Sequence, residues 1–230
     1  MITVIIPVKD EKENLSKLLP YLESIAAGHS FEVVVACSQN CKADYSSIPC
    51  TERVIFIRCK HEGRAPQMNE AADLASGNIL AFLHADARPP ITFFADIEQS
   101  LSGKFDAGFF SYQFDKNRFL LRINASTTYR KGIFTGGGDQ CLFIHRDVFE
   151  RLGKFKDDQL FMEDFEFYKR LKKSKVNFTI VQHPLTISAR KYDKNSYVRV
   201  NLSNLLVLLL FKCGYPSKKL RSIYAKLIRS

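Results

Sequence analysis

Along the first half of the chain, short runs of apolar and β-branched residues alternate with segments of helical spacing, each run cut off by Pro, Gly or a polar cluster. "TVIIP" at 3–7 predicts a buried first strand. After it, Leu15, Leu18, Leu19, Leu22 and Ile25 follow the i, i+3, i+4, i+7 pattern of a helix opened by Asn14, with Pro20 expected to kink or break it. "FEVVVAC" (31–37) and "RVIFIRC" (53–59) predict two more buried strands, followed by a helix over 65–76 closed by Gly77. "NILAFLH" supplies a fourth strand over 79–83, a helix follows Pro90, and "DAGFFSYQF" (106–114) is a fifth strand. This alternation predicts an α/β fold with a mostly parallel sheet covered on both faces, whose functional loops gather at the carboxyl ends of the strands.

The second half is less regular. Gly136, Gly137 and Gly138 precede an apolar strand over 141–145, and "MEDFEFYKRLKKS" (162–174) places acids in the first turn of a helix and Arg170, Lys172 and Lys173 in the last, as the helix dipole favours. The apolar run 205–211 is far short of the roughly 20 residues a spanning helix needs, so no transmembrane segment is expected. At 230 residues the chain suits one domain, 1–192, with a helical C-terminal extension, 193–230.

The net charge of +10 is concentrated at one end: residues 190–230 hold ten Lys/Arg against the single Asp193. A nearly neutral main body argues against a nucleic-acid channel and makes the extension the candidate for an anionic surface. Cys37, Cys41, Cys50, Cys59, Cys141 and Cys213 are scattered without a CxxC pair, and no leader pattern precedes the first strand, so a reducing cytoplasm is expected. Cys37 and Cys41 have metal-like spacing but no second pair to complete a zinc site.

Five polar clusters stand out: "IPVKDEKENL" (6–15), "HEGRAPQMNEAA" (61–72), "FLHADARPP" (82–90), "GGGDQ" (136–140) and "FMEDFEFYKRL" (161–171). Four of them fall at a strand end or a helix start, where backbone N–H groups and loops converge on ligands. A histidine and an aspartate straight after a buried strand cost free energy unless something meets them. Taken alone, Asp86 also fits a helix cap or turn acid, "GRAPQMN" a solvated helix start, and Glu163 with Asp164 a pair of capping acids.

In chain order these segments resemble family 2 glycosyltransferases of the GT-A fold, and within them a compact bacterial subgroup carrying GRAxQMNxGA-like and FLHAD segments, here "GRAPQMNEAA" and "FLHADARPP". The resemblance covers Ile2 to about Tyr192. It implies a Rossmann-like nucleotide-binding half within a mixed sheet, and inverting transfer of a sugar from a nucleotide diphosphate sugar to an acceptor hydroxyl, assisted by Mn2+ or Mg2+. It assigns Asp164 as the base, with Glu163 positioning it, and Asp86, with His84, as metal ligands in place of the family's Asp-x-Asp. Donor contacts are implied for Pro7, Val8, Asp10, Glu11, Cys37, Arg64, Gln67, Asn69, His84, Ala85, Asp86, Arg190 and Lys191, and acceptor contacts for Gly138, Asp139 and Gln140. His183 is a further metal candidate, because some GT-A enzymes recruit a C-terminal histidine; His145 reads as a loop residue.

The chain departs from the family at three places: Asp10 stands for an asparagine, His84 for the first acid, and Cys37 or Ser38 for an aspartate that contacts the nucleotide. These departures keep a non-enzymatic nucleotide-sugar-binding protein in play. A nucleotidyltransferase, the other rival, would need a glycine-rich loop after the first strand, and "PVKDEKEN" has no glycine. Beyond Tyr197, leucines interleaved with Lys and Arg fit either a basic amphipathic helix on a membrane, suited to a lipid-linked acceptor, or a helix pair packed on the sheet or on a second copy.

Overall fold

The computed structural model describes residues 1–132 and 135–228; Arg229 and Ser230, the end of the expected extension, lie outside the described residues. Among them seven strands form one sheet, ordered β3-β2-β1-β4-β6-β5-β7. The strands are β1 (Ile2–Val8), β2 (Phe31–Cys37), β3 (Val54–Arg58), β4 (Ile79–Phe82), β5 (Ala107–Phe114), β6 (Leu142–His145) and β7 (Phe178–Ile187). β1 to β4 are mutually parallel, β6 runs antiparallel to both β4 and β5, and β7 is parallel to β5.

Along β1 and β2, residues alternate between two cores because successive side chains leave opposite faces of a strand. Ile2, Val4, Ile6, Val33 and Val35 pack with α1 (Lys12–Ile25) and α3 (Phe93–Leu101). Ile5, Val34 and Ala36 pack with α2 (Arg64–Leu74) and α6 (Glu163–Lys173) on the other face. Both faces are therefore covered, as the continuous apolar runs require. The chain goes from β1 to β2 and β3 on one side, then returns to place β4 on the other. The carboxyl ends of β1 and β4 thus flank a topological switch point, the usual site of a ligand crevice in open α/β sheets.

Three local expectations give way. β3, expected to be buried, is half-buried with Ile55 exposed, because it ends the sheet and has a strand neighbour on one side alone. α1 runs unbroken through Pro20, which sits on the exposed face, where water can take up the Ser16 carbonyl its missing N–H would have bonded. α2 ends at Leu74 with Ala75 extended, so Gly77 is no cap. Its N–H donates to Thr3 Oγ1 at 2.9 Å, and a Cβ would lie 2.6 Å from that oxygen, so close approach to β1 is what requires glycine there.

The remaining helices are α4 (Phe119–Ser126), α5 (Arg146–Arg151), α7 (Arg190–Lys194), α8 (Tyr197–Lys212) and α9 (Ser217–Leu227). α8 and α9 pair with each other, and α9 reaches the main body: Ser217 Oγ donates to the Asp158 carbonyl at 3.1 Å, and Tyr224 packs 5.2 Å from Phe161, ring centre to ring centre. No helix among the described residues is long and apolar enough to cross a membrane.

Candidate active site

The sequence leaves β1 through Pro7 and Val8, and the chain then turns at Asp10 with a left-handed φ of 56°. Asp10 Oδ1 accepts the N–H groups of Lys42 (2.7 Å) and Ala43 (2.9 Å), fastening the loop after β2 across the end of β1. Those backbone donors hold the Asp10 carboxyl below its usual range. Gln67 works the same seam from α2, donating to the carbonyls of Val8 (3.0 Å) and Ala36 (2.7 Å). Asn69 accepts the Phe155 N–H at 3.1 Å and donates to the Phe155 carbonyl and to Asp157, both at 2.8 Å. These polar atoms are committed to holding loops. Burial pushes the Cys37 thiol up to about 11, away from reactivity.

Unspent charge gathers one layer above. Arg64, the first residue of α2, donates to Glu163 Oε1 at 3.4 Å. Burial works against its positive charge, but Glu163, Asp164, Asp139 and Asp86 together raise its pKa above the ordinary value. Arg64 is thus surrounded by carboxylates from three separate stretches of the chain. Past β4, Asp86 Oδ2 lies 3.3 Å from an Arg190 guanidinium nitrogen, and Glu11 lies 3.9 Å from the same nitrogen. Ala85, between His84 and Asp86, is buried in that turn.

His84 Nδ1 lies 3.5 Å from Asp139 Oδ1. Desolvation opposes charge on Asp139, yet His84, Lys191 and Arg64 overcome it and hold the carboxyl down at about 2. Gly138 lies between the two sides of the cleft: a Cβ there would come within 2.5 Å of Asp164 Oδ2 and 2.9 Å of His84 Nε2. Gln140 is buried and its Oε1 accepts the Gly136 N–H at 2.9 Å, while its Nε2 has no partner among the described residues.

The opposite wall begins with Met162, in a left-handed conformation (φ 65°), which delivers the chain into α6. Glu163 is buried against Arg64, and Asp164 follows. Desolvation first, then repulsion by Glu163, pushes the Asp164 carboxyl up to about 7 despite the opposing pull of Arg64 and His84. A carboxylate poised near neutrality can take up a proton at working pH, the property a general base needs.

The comparisons follow from this arrangement. The model of the family described as glycosyl transferase family 2 matches residues 3–153. The chain belongs to that family. The chain shares its GT-A fold with solved structures of low sequence identity. The Pyrobaculum calidifontis mannosyltransferase PcManGT, solved with GDP-Man and Mn2+, is 19% identical with a TM-score of 0.66 over 98% of this chain and 69% of that one. S. aureus TarS 1-349, solved with UDP-GlcNAc, is 13% identical with a TM-score of 0.65 over 98% and 71%. The catalytic domain of Drosophila beta1,4galactosyltransferase 7, solved with xylobiose, is 16% identical with a TM-score of 0.53 over 78% of this chain. The chain spans 63% of that domain's length. No curated protein sequence matches it significantly.

Sequence reasoning missed the partners supplied by the extension. Lys191 is flanked by Tyr224, whose ring centre is 5.5 Å from its Nζ, and Ser217 Oγ lies 3.3 Å from the Leu160 N–H in the loop before Glu163. Nothing local marks Tyr224 or Ser217 as site residues; only folding brings α9 against that loop. His183 lies elsewhere, its Nδ1 3.0 Å from the Asp96 carboxylate on α3. His145 ends β6 at the start of α5. No group of three or more metal-type ligands occurs among the described residues, either at Cys37 and Cys41 or at His84 and Asp86.

Proposed function

We propose that the chain moves a sugar, with inversion, from a nucleotide diphosphate sugar to an acceptor hydroxyl, Asp164 serving as the base. The observation that carries this reading is the pairing of Arg64 with Glu163 at 3.4 Å next to Asp164, whose Oδ2 closes on Gly138 from one side as His84 does from the other, with the Asp164 carboxyl raised to about 7. The acceptor hydroxyl gives its proton to Asp164 as its oxygen bonds to the anomeric carbon. On the opposite face the bond from that carbon to the diphosphate breaks, and the nucleotide diphosphate leaves with the electron pair. Arg64 at the start of α2 and Arg190 beside Asp86 would meet the growing negative charge of the diphosphate, and Lys191, on which Asp139 acts electrostatically, would add to them.

The donor set suits a hard divalent cation in the mode that uses one carboxylate and completes its shell with substrate phosphates: Asp86 would be that carboxylate, with Arg190 exposed beside it. Mn2+ or Mg2+ held there would supply Lewis-acid neutralisation of the leaving diphosphate. His84 keeps Nε2 as a further ligand or phosphate donor while Nδ1 faces Asp139. On the acceptor side, Asp139 is the exposed group that would meet a hydroxyl, with the unpartnered Gln140 Nε2 buried behind it, and Glu163 pairs with Arg64 beside Asp164.

The test is product formation from a panel of UDP-, GDP- and dTDP-sugars, with and without manganese. Transfer by the native chain and a loss of roughly 10²–10⁴-fold in Asp164→Asn is the expected outcome. Binding of donors without transfer, or full turnover by Asp164→Asn, overturns the assignment.

A further inference from the structure

Thirteen large apolar side chains are exposed among the described residues, and eight of them lie on two helices: Phe119, Leu120 and Ile123 on α4, and Val198, Leu202, Leu205, Leu206 and Leu209 on α8. Single exposed apolar residues are ordinary, but a cluster of this kind marks an interaction surface. On α8, the helical period sets these five on the face opposite buried Val200, Ser203 and Val207.

The two helices are joined at Asn124. Its Nδ2 donates to Asn201 Oδ1 at 2.9 Å, and its Oδ1 accepts from Tyr197 Oη at 2.7 Å. Around each helix the order is buried face, then this contact, then exposed apolar stripe, so the stripes of α4 and α8 adjoin on one surface.

Charge distinguishes the occupant. Beside α4 lies an open groove whose lining includes Arg122, Arg130 and Lys131 and no carboxylate. Arg122 and Arg130 are exposed and have no ion-pair partner among the described residues, nor do Lys212, Lys218 or Lys219 on the α8–α9 segment. Of the acids nearby, Asp193 is already taken by Lys116 and Arg118, Asp115 accepts the Ala189 N–H, and Asp158 lies at the far end of the segment, against Ser217 of α9. A second copy meeting this face would set cations against cations, whereas a bilayer with anionic headgroups offers both the apolar depth and the opposite charge.

We propose that the α4–α8 surface docks on membranes rich in anionic phospholipid, its leucines and Phe119 entering the acyl boundary and its arginines and lysines meeting the headgroups. This goes beyond the transfer chemistry and sets the cleft beside the bilayer, because α7, which carries Arg190 to Asp86, leads directly into α8. It favours an acceptor carried on a lipid.

Co-sedimentation of the full chain with phosphatidylcholine vesicles, with and without phosphatidylglycerol, tests this. The native chain should bind the phosphatidylglycerol vesicles and be released by salt, while Leu202→Ser/Leu206→Ser binds roughly tenfold more weakly at an unchanged melting temperature. Phe119→Ser, on the other helix, should weaken binding severalfold. Absence of native binding overturns the proposal, as does a dimer that Leu202→Ser/Leu206→Ser dissociates, which would assign the face to a second copy. Donor turnover with a soluble acceptor, measured on the same samples, separates failure here from failure of the catalytic reading.

Discussion

Asp10, Gln67 and Asn69, on the β1–β4 half of the molecule, hydrogen-bond to backbone groups of neighbouring strands and loops, whereas Asp139, Glu163 and Asp164, on the other half, act on one another, on Arg64 and on His84. All six are polar groups near strand or helix ends, and the family resemblance assigns all six to the site. The difference between them lies in what each has already satisfied. A buried amide that completes its hydrogen bonds inside the fold stabilises a wall; a carboxylate held close to a like charge keeps free energy that a reaction can draw on.

Three measurements would sharpen or break this contrast. The largest effect belongs to Asp164. Its raised pKa means that the folded chain holds this proton more tightly than the unfolded one, so its contribution to stability is present at low pH and falls as pH rises from the ordinary 3.8 towards about 7. Transfer activity should climb through about pH 7 as the base ionises. Asp164→Asn should abolish that limb while raising the melting temperature at pH 8 relative to the native chain and not at acid pH. A melting temperature lowered at both pH values would mean that Asp164 stabilises the fold and is not strained within it.

Asn69→Ala is the reciprocal case. It strands the Phe155 N–H and carbonyl in a buried seam, and chemical denaturation should show a loss of about 2 kcal/mol. Turnover per folded molecule should stay within a fewfold of native; a collapse of kcat at intact stability would move Asn69 into the donor site.

The smallest effect is expected at Tyr224, whose ring packs on Phe161 in the loop before Glu163 and beside Lys191. Tyr224→Ala should lower kcat by roughly threefold to tenfold through misplacement of that loop, with Tyr224→Phe restoring most of it. Equal rates for all three chains would show that the extension leaves the catalytic wall alone.

Much of the fold was legible because β1, β2 and β4 are buried on both faces and so read as unbroken apolar runs, and β3 reads the same way although it is a partly exposed edge strand: β2 falls on the expected residues and β1, β3 and β4 within two residues of them. Pro20 and Gly77 misled for opposite reasons. A proline on a solvent face can be accommodated where one in a core could not, and a glycine after a helix was needed by a strand 74 residues earlier in the chain. α4 went unseen because its Phe119, Leu120 and Ile123 are exposed, so its apolar pattern does not mark a single buried face.

The sequence by itself determined the chemistry on offer: an acid after β4, an arginine opening α2, an acidic pair opening α6, and a basic extension. Only the tertiary structure decided which of those groups are free. Whether a carboxylate is held down at about 2, as in Asp139, or pushed up to about 7, as in Asp164, depends on desolvation and on charges brought together from distant parts of the chain. Those interactions act through space over a few ångströms, and no spacing along the chain encodes them.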